Sequence, residues 1–262
     1  MVGIGSASNA SFFVLLPPGE GARRADEGKG QTVTKLGYAS ASHLPSPQPL
    51  SRWERGLSSL PADFSPMTAD PRQLLRQQLR QRRRDIPAAE RIAAAEILAT
   101  NLLSLPFAGI SGHVAGYWAM DGEIALHRWQ MQLPPQQTYC LPVLHGKLLR
   151  FAPWRPGQSL VSNRYGIPEP DVDPAQALRP EEMALVVAPL VGFDDGGRRL
   201  GMGGGWYDRS FAFRQRQAAP PWLVGVGFSA QQVPSLPVED WDVAVDAICT
   251  EQATLYPEPL NA

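Results

Sequence analysis

Cysteine is scarce in this chain, and the two that occur, Cys140 and Cys249, stand far apart with no CxxC spacing. They cannot supply a four-ligand zinc site alone, and they suit a reducing compartment where thiols stay free, so a cytoplasmic protein is expected. Histidine is sparse too, with four in the chain. His113, His127 and His145 fall at neither HxxxH nor HExxH spacing, which removes the usual imidazole metal motifs. An excess of one charge is also missing: the formal net charge is -1, which argues against a general nucleic-acid binder. No apolar run approaches the roughly 18 residues needed to span a bilayer. The short apolar patch at 11–16 has no basic segment before it and runs into Pro17, Pro18 and Gly19 rather than a small-residue cleavage site. The chain therefore reads as one with no nucleic-acid partner, no membrane anchor and no signal peptide.

Regular periodicity is absent from residues 1–66. They are rich in Gly, Ser, Pro and Ala, and their large apolar residues are scattered. Two readings stand: a disordered extension, or a spurious one translated from upstream of the true start, since Met67 directly precedes ordered sequence. The second domain of the reading, 67–262, carries the function.

From Asp70 the pattern becomes regular. Asp70 can cap a helix whose first residue is Pro71, a position where the missing N–H costs nothing. The helix over 70–84 has Leu74, Leu75 and Leu79 on one side and six arginines mostly elsewhere. A second helix covers 88–105, with Ile92, Ala95, Leu98 or Ala99, and Leu102 at helical spacing. Strand-like runs follow at 113–118, 138–144, 148–153 (an edge or hairpin arm), 185–189, 223–228 and 245–249, with helices expected over 124–133 and 206–216. Strands alternating with helices predict an α/β fold: three layers, a mainly parallel sheet, helices on both faces, Rossmann-like.

The sequence RLGMGGGWYDR at 199–209 follows a buried strand and a polar turn. Four glycines in five positions, Gly201, Gly203, Gly204 and Gly205, let the backbone take positive φ and approach a ligand closely. A helix starts directly afterwards, and its free N–H groups favour a phosphate there. Asp208, just inside, is placed to hold a hard cation such as Mg²⁺. Neither GxxxxGK[ST] nor GxGxxG occurs, so physical chemistry alone reaches a phosphate site and no further.

That stretch, after APLVGFDDGGR, resembles the signature FDxxGxRLGxGxGYYD of the 5-formyltetrahydrofolate cyclo-ligase family, also called 5,10-methenyltetrahydrofolate synthetases. Four further segments agree in the family's order. Arg72-Gln-Leu-Leu-Arg76 is similar to its amino-terminal K-x-x-L-R, Met120-Asp-Gly-Glu-Ile124 to its folate-binding segment, and Tyr165-Gly-Ile-Pro-Glu-Pro170 to its NxxGIPEP-like stretch. Residues 236–246 follow P-x-[EN]-x-x-D-x-x-x-D.

The resemblance implies an ATP- and Mg²⁺-dependent ligase, a monomer, that converts 5-formyltetrahydrofolate to 5,10-methenyltetrahydrofolate with release of ADP and phosphate. It assigns ATP binding to Arg72, Arg76, Arg199, Leu200, Gly201, Met202, Gly203, Gly204, Gly205, Trp206 and Tyr207. It assigns Mg²⁺ to Asp208 and Asp246, and the folate to Glu123, Trp118, Tyr165, Met202 and Trp206. Arg72 stands where the family has lysine, and Met202 and Gly204 where some members have arginine and lysine, so phosphate neutralisation falls to Arg199 and Arg76. No nucleophilic Ser or Cys is assigned; positioning and charge neutralisation carry the chemistry. The alternative from another class is a nucleotide- or sugar-phosphate-binding protein without catalysis. The arginines at 80–84 read as a solvated or phosphate-facing helix end rather than a nucleic-acid surface.

Overall fold

Asp70 opens the described chain as the cap of the first helix: its carboxylate accepts the Arg72 N–H at 2.9 Å, and Pro71 follows at the first helical position. The structure is a computed structural model that describes residues 70–257. The expected extension over 1–66 lies outside them.

Helices α1 (Pro71–Arg84) and α2 (Ala88–Leu103) lead into the strands. In chain order these are β1 (Gly112–Ala115), β2 (Gln137–His145), β3 (Leu148–Pro153), β4 (Leu160–Ser162), β5 (Pro168–Pro170), β6 (Met183–Pro189), β7 (Gly192–Phe193), β8 (Arg199–Leu200), β9 (Trp222–Val226), β10 (Ala247–Cys249) and β11 (Thr254–Leu255). Helix α3 (His127–Met131) precedes β2, and α4 (Trp206–Ser210) follows β8.

Seven strands form one sheet in the order β11-β10-β9-β6-β1-β2-β3. The five inner strands run parallel, and β3 and β11 close the two edges antiparallel. Two small hairpins, β4-β5 and β7-β8, stand outside it. The α/β class with a mainly parallel sheet is as the sequence implies.

Alternation along the strands explains why both faces are covered. Val114, Leu185, Val187, Val224 and Cys249 point to a core shared with Ala95, Leu98 and Leu102 of α2 and Trp129 of α3. Their neighbours Ala115, Val186, Leu223 and Ile248 point to a second core with Phe211, just past α4. A third cluster joins Leu79 of α1 to Val191, Leu200, Val233 and Leu236.

Several boundaries differ from expectation. Ile92 is two-thirds exposed, because the buried stripe of α2 runs through Ala94, Ala95, Leu98, Ala99 and Leu102, and Ile92 sits off its edge. Helix 124–133 shortens to α3 because Asp121 and Gly122, at φ 52° and 81°, form a turn before it, and Tyr117 Oη donates to the Ile124 carbonyl at 2.7 Å. Helix 206–216 breaks at Phe211, whose ring is buried in the second core, and resumes as a 3₁₀ turn, Ala212–Gln215.

From β1 the chain steps to β2 on one side, and later returns to β6 on the other. The order reverses there, and the crevice at the carboxyl ends of such a strand pair is where open α/β sheets bind ligands.

Candidate active site

A cavity of about 600 Å³ occupies that crevice. Pro189 at the end of β6 and Tyr117 and Trp118 just beyond β1 form its floor. Arg72 and Arg76 of α1 line one part, and the glycine turn leads from β8 into α4. Such a volume suits a drug-sized ligand, and its walls mix apolar rings with a few convergent charges.

The glycine turn is aimed from both ends. Upstream, the buried Asp194 carboxylate accepts N–H groups of Gly196 at 3.0 Å, Arg198 at 3.2 Å and Leu236 at 2.9 Å, fixing the β7-β8 hairpin. Gly203 at φ 93° and Gly205 at φ 61° adopt conformations that other residues avoid, and Gly205 caps α4. Arg76 Nε donates to the Gly201 carbonyl at 3.0 Å, and a Cβ on Gly203 would lie 3.5 Å from its guanidinium carbon. The turn therefore presents bare backbone beside an arginine.

Asp208 lines the cavity from the first turn of α4. Its Oδ1 accepts Arg199 Nη2 at 2.5 Å and the Val243 N–H at 3.2 Å. Arg72 makes a two-pronged pair with Asp242, Nη1 to Oδ2 at 2.9 Å and Nη2 to Oδ1 at 3.1 Å. Burial works against the Arg72 charge, but Asp242 outweighs it and holds the guanidinium above its ordinary value.

The opposite kind of wall is the turn that carries Glu123. Its Oε2 accepts the Met120 N–H at 3.0 Å, and its Oε1 accepts Arg83 Nη1 at 3.4 Å. Burial pushes the Glu123 carboxyl above its usual range, against the pull of the Met120 N–H and Arg83. Tyr117 is buried and Tyr207 half-buried, and both titrate far above a free phenol, mainly through burial, so both hydroxyls stay protonated. Asp121 is held down at about 2: burial opposes this, but hydrogen bonds from Arg84 and Arg80 prevail. Tyr165 and Trp206 meet edge-on at 6.1 Å at the mouth, with the Arg164 guanidinium 5.2 Å and 5.1 Å from their ring centres. Trp118 packs edge-on against Trp154 at 5.8 Å.

Most of the residues assigned from the sequence meet at this cavity: Arg72, Arg76, Trp118, Glu123, Tyr165, Arg199, Gly201, Met202, Gly203, Gly204, Gly205, Trp206, Tyr207 and Asp208 all line it. Two do not. Leu200 is fully buried in the cluster around Leu79, so its side chain belongs to the core. Asp246 accepts Arg214 Nη2 at 2.8 Å and 3.0 Å and takes the Leu223 N–H at its Oδ2. Leu223 is the second residue of β9 and Asp246 directly precedes β10, so this carboxylate sits at the amino ends of the strands, away from the cavity. The paired carboxylates expected for a metal are not brought together. Among the described residues no group of three or more His, Cys, Asp or Glu side chains gathers as a metal centre.

Three residues at the site escaped the sequence reading. Asp242 lines the cavity, and its register against Asp246 is decided only by the start of β10. Asp121 lines it too, and Arg83 lies behind it, wholly buried. The i, i+4 series Leu75, Leu79, Arg83 contained that last signal.

A sequence model described as the 5-formyltetrahydrofolate cyclo-ligase family matches residues 68–251. The 5-formyltetrahydrofolate cyclo-ligase of Escherichia coli K12 is 36% identical over 178 residues, covering 66% of this chain and 96% of that protein. That of Haemophilus influenzae is 34% identical over 181 residues, covering 68% and 96%. The solved 5,10-methenyltetrahydrofolate synthetase of Aquifex aeolicus superposes with a TM-score of 0.62 at 29% identity, over 73% of this chain and 95% of that one. A Mycoplasma pneumoniae synthetase shares the fold at 19% identity, with a TM-score of 0.53. The chain belongs to the 5-formyltetrahydrofolate cyclo-ligase family.

Proposed function

We propose that this protein uses ATP to convert 5-formyltetrahydrofolate to 5,10-methenyltetrahydrofolate, releasing ADP and phosphate at the cavity described. The observation that carries the assignment is that one cavity holds a bare glycine turn with arginines on one wall and a half-buried carboxylate, Glu123, among aromatic rings on another. The first suits a polyphosphate and the second a heterocycle with N–H donors.

The formyl group of the substrate is an amide and a poor electrophile. Transfer of the γ-phosphoryl to its oxygen, with ADP leaving, makes that oxygen a good leaving group. N10 then attacks the formyl carbon, loses its proton, and the C–O bond breaks to release phosphate, leaving the methenyl bridge. Little covalent work is left for the protein beyond positioning and charge neutralisation. Arg76 and the N–H groups of the glycine turn hold the phosphates, and Arg199 keeps Asp208 in place. Glu123 receives N–H donors of the folate, and Trp118, Tyr165 and Trp206 cover its flat rings.

Mg²⁺ fits Asp208, whose two hydrogen bonds among the described residues both fall on Oδ1 at the rim of the phosphate wall. When bound there, it would supply positive charge to the phosphate oxygens. Asp242 is the neighbouring carboxylate on the same wall.

The test is direct. Purified protein mixed with 5-formyltetrahydrofolate should develop the absorbance of 5,10-methenyltetrahydrofolate only when ATP and Mg²⁺ are both supplied. Absence of product with both present, from folded protein, would overturn the assignment.

A further inference from the structure

Arg72, Arg76, Arg80 and Arg83 follow one another along one strip of α1 at helical spacing. The first two reach the phosphate wall, through Asp242 and the Gly201 carbonyl. The last two reach the wall that carries Glu123. Arg83 differs from the rest, because it is fully buried. It continues the apolar stripe Leu75–Leu79, where a leucine or methionine would fill the space without any charge to desolvate. Burying an unpaired guanidinium is strongly unfavourable, and three contacts compensate this one.

All three contacts fall on one turn. Arg83 Nε donates to the Asp121 carbonyl at 3.1 Å, Nη2 to Asp121 Oδ2 at 2.9 Å, and Nη1 to Glu123 Oε1 at 3.4 Å. Asp121, at φ 52°, is the one non-glycine residue with positive φ among the described residues, and Gly122 follows at φ 81°. Such a conformation is strained for an L-residue and persists only where its surroundings hold it. Arg80 Nε at 2.9 Å and Arg84 Nε at 2.6 Å bind the same carboxylate from its more exposed side.

Glu123 is faced by Arg83 and, farther off, Arg80 from α1, by Asp121 from its own turn, by Tyr117 beyond β1, and by Tyr207 from α4. Arg91 of α2 stands beside Gly122. Among the described residues, only Arg83 and the Met120 N–H hydrogen-bond to its carboxylate.

We propose that Arg83 is a positioning residue for the folate side of the reaction: by binding the strained Asp121 carbonyl, the Asp121 carboxylate and Glu123 together, it sets the direction in which the Glu123 carboxylate enters the cavity. This rests on the reading of Glu123 as the folate-binding carboxylate. A residue needed only for packing would change stability and leave kinetic constants alone. A positioning residue acts on the folate constant and leaves the nucleotide constant alone.

The experiment compares the wild-type chain with Arg83→Met and Arg83→Lys, measuring Michaelis constants for both substrates, melting temperature and pH profiles. Arg83→Met should raise the folate constant roughly tenfold or more, the effect of losing a charged hydrogen bond, with the ATP constant within about twofold. Its profile of kcat/KM for the folate should also change. Arg83 favours the ionised Glu123, so without it the acid limb moves to higher pH. Arg83→Lys keeps the charge, but one ammonium cannot serve three spread acceptors, so the same split is expected at smaller size. If Arg83→Met yields no folded protein, the lysine variant decides. Folded variants with an unchanged folate constant and an unmoved acid limb, and only a lower melting temperature, would overturn the proposal. A wild-type chain that makes no methenyltetrahydrofolate would instead overturn the functional reading beneath it.

Discussion

The turn at 201–205 and the turn at 120–123 line the same cavity, yet the first is made by removing side chains and the second by tying them down. Glycines at 203 and 205 give the first its positive φ without steric cost, and its carbonyl at Gly201 is met by Arg76. The second puts an aspartate at positive φ and holds it with three arginines of α1. Under the proposed function, the difference follows from what each wall must offer. A phosphate needs uncovered N–H groups and room for close approach. A heterocycle with N–H donors needs a carboxylate fixed in direction, and a buried carboxylate must be held by partners or lose its charge.

The comparison breaks most sharply at Asp208, which lines the cavity from α4, directly after the glycine turn. Asp208→Asn should lower turnover roughly a hundredfold or more, with partial recovery at raised Mg²⁺ and a near-normal folate constant. A residue that merely favours the first turn of a short helix would give only about 0.3–1 kcal/mol of stability. Near-wild-type turnover at limiting Mg²⁺, together with a slightly earlier melt, would remove Asp208 from the metal.

Glu123→Gln tests the other wall. The folate Michaelis constant should rise roughly tenfold while that for ATP stays put, as expected when a charged hydrogen-bond partner is lost on one side only. An unaltered folate constant with impaired ATP use would reverse the assignment of the two walls.

Gly203→Ala sharpens the contrast at smaller size. Its Cβ would meet Arg76 only at ordinary contact distance, so the cost is the backbone conformation, about 1 kcal/mol. The ATP constant should rise severalfold and the melting temperature fall by a few degrees, with the folate constant unmoved. Parallel rises in both constants would mean that the walls are not independent.

Smallest of all is the effect expected from deleting residues 1–66. Two-thirds of this chain spans nearly the whole of its Escherichia coli relative, and the family match begins at residue 68. Activity should change by less than about tenfold, or about 1.4 kcal/mol of barrier, in a purified and folded truncated chain. A larger loss would assign those residues a part in the site.

How far the sequence revealed this depended on whether the cause was local. The glycine turn could be read because freedom from Cβ atoms and the start of a helix are properties of neighbouring residues. The strands β6 and β9 could be read as buried runs for the same reason. Asp242 and Asp246 could not be told apart, because both lie in irregular chain and only the start of β10 decides which end of the sheet each one meets. Arg83 was hidden among similar arginines, since its burial is fixed by a partner turn some 38 residues away. The β4-β5 and β7-β8 hairpins are too short to show alternation at all.

The strip of arginines on α1 also makes that helix a ruler. From Arg72 to Arg83 is eleven residues, which at about 1.5 Å each sets roughly 16 Å between the outermost contacts. Rotation is graduated as well as length, since each residue turns the strip by about 100°. One residue inserted between Arg76 and Arg80 would leave both ends helical and every side chain present. It would nevertheless swing Arg80, Arg83 and Arg84 off Asp121 and expose Leu79. Substitutions along α1 can be absorbed one at a time, whereas a change in its length shifts the two walls of the cavity out of step at once.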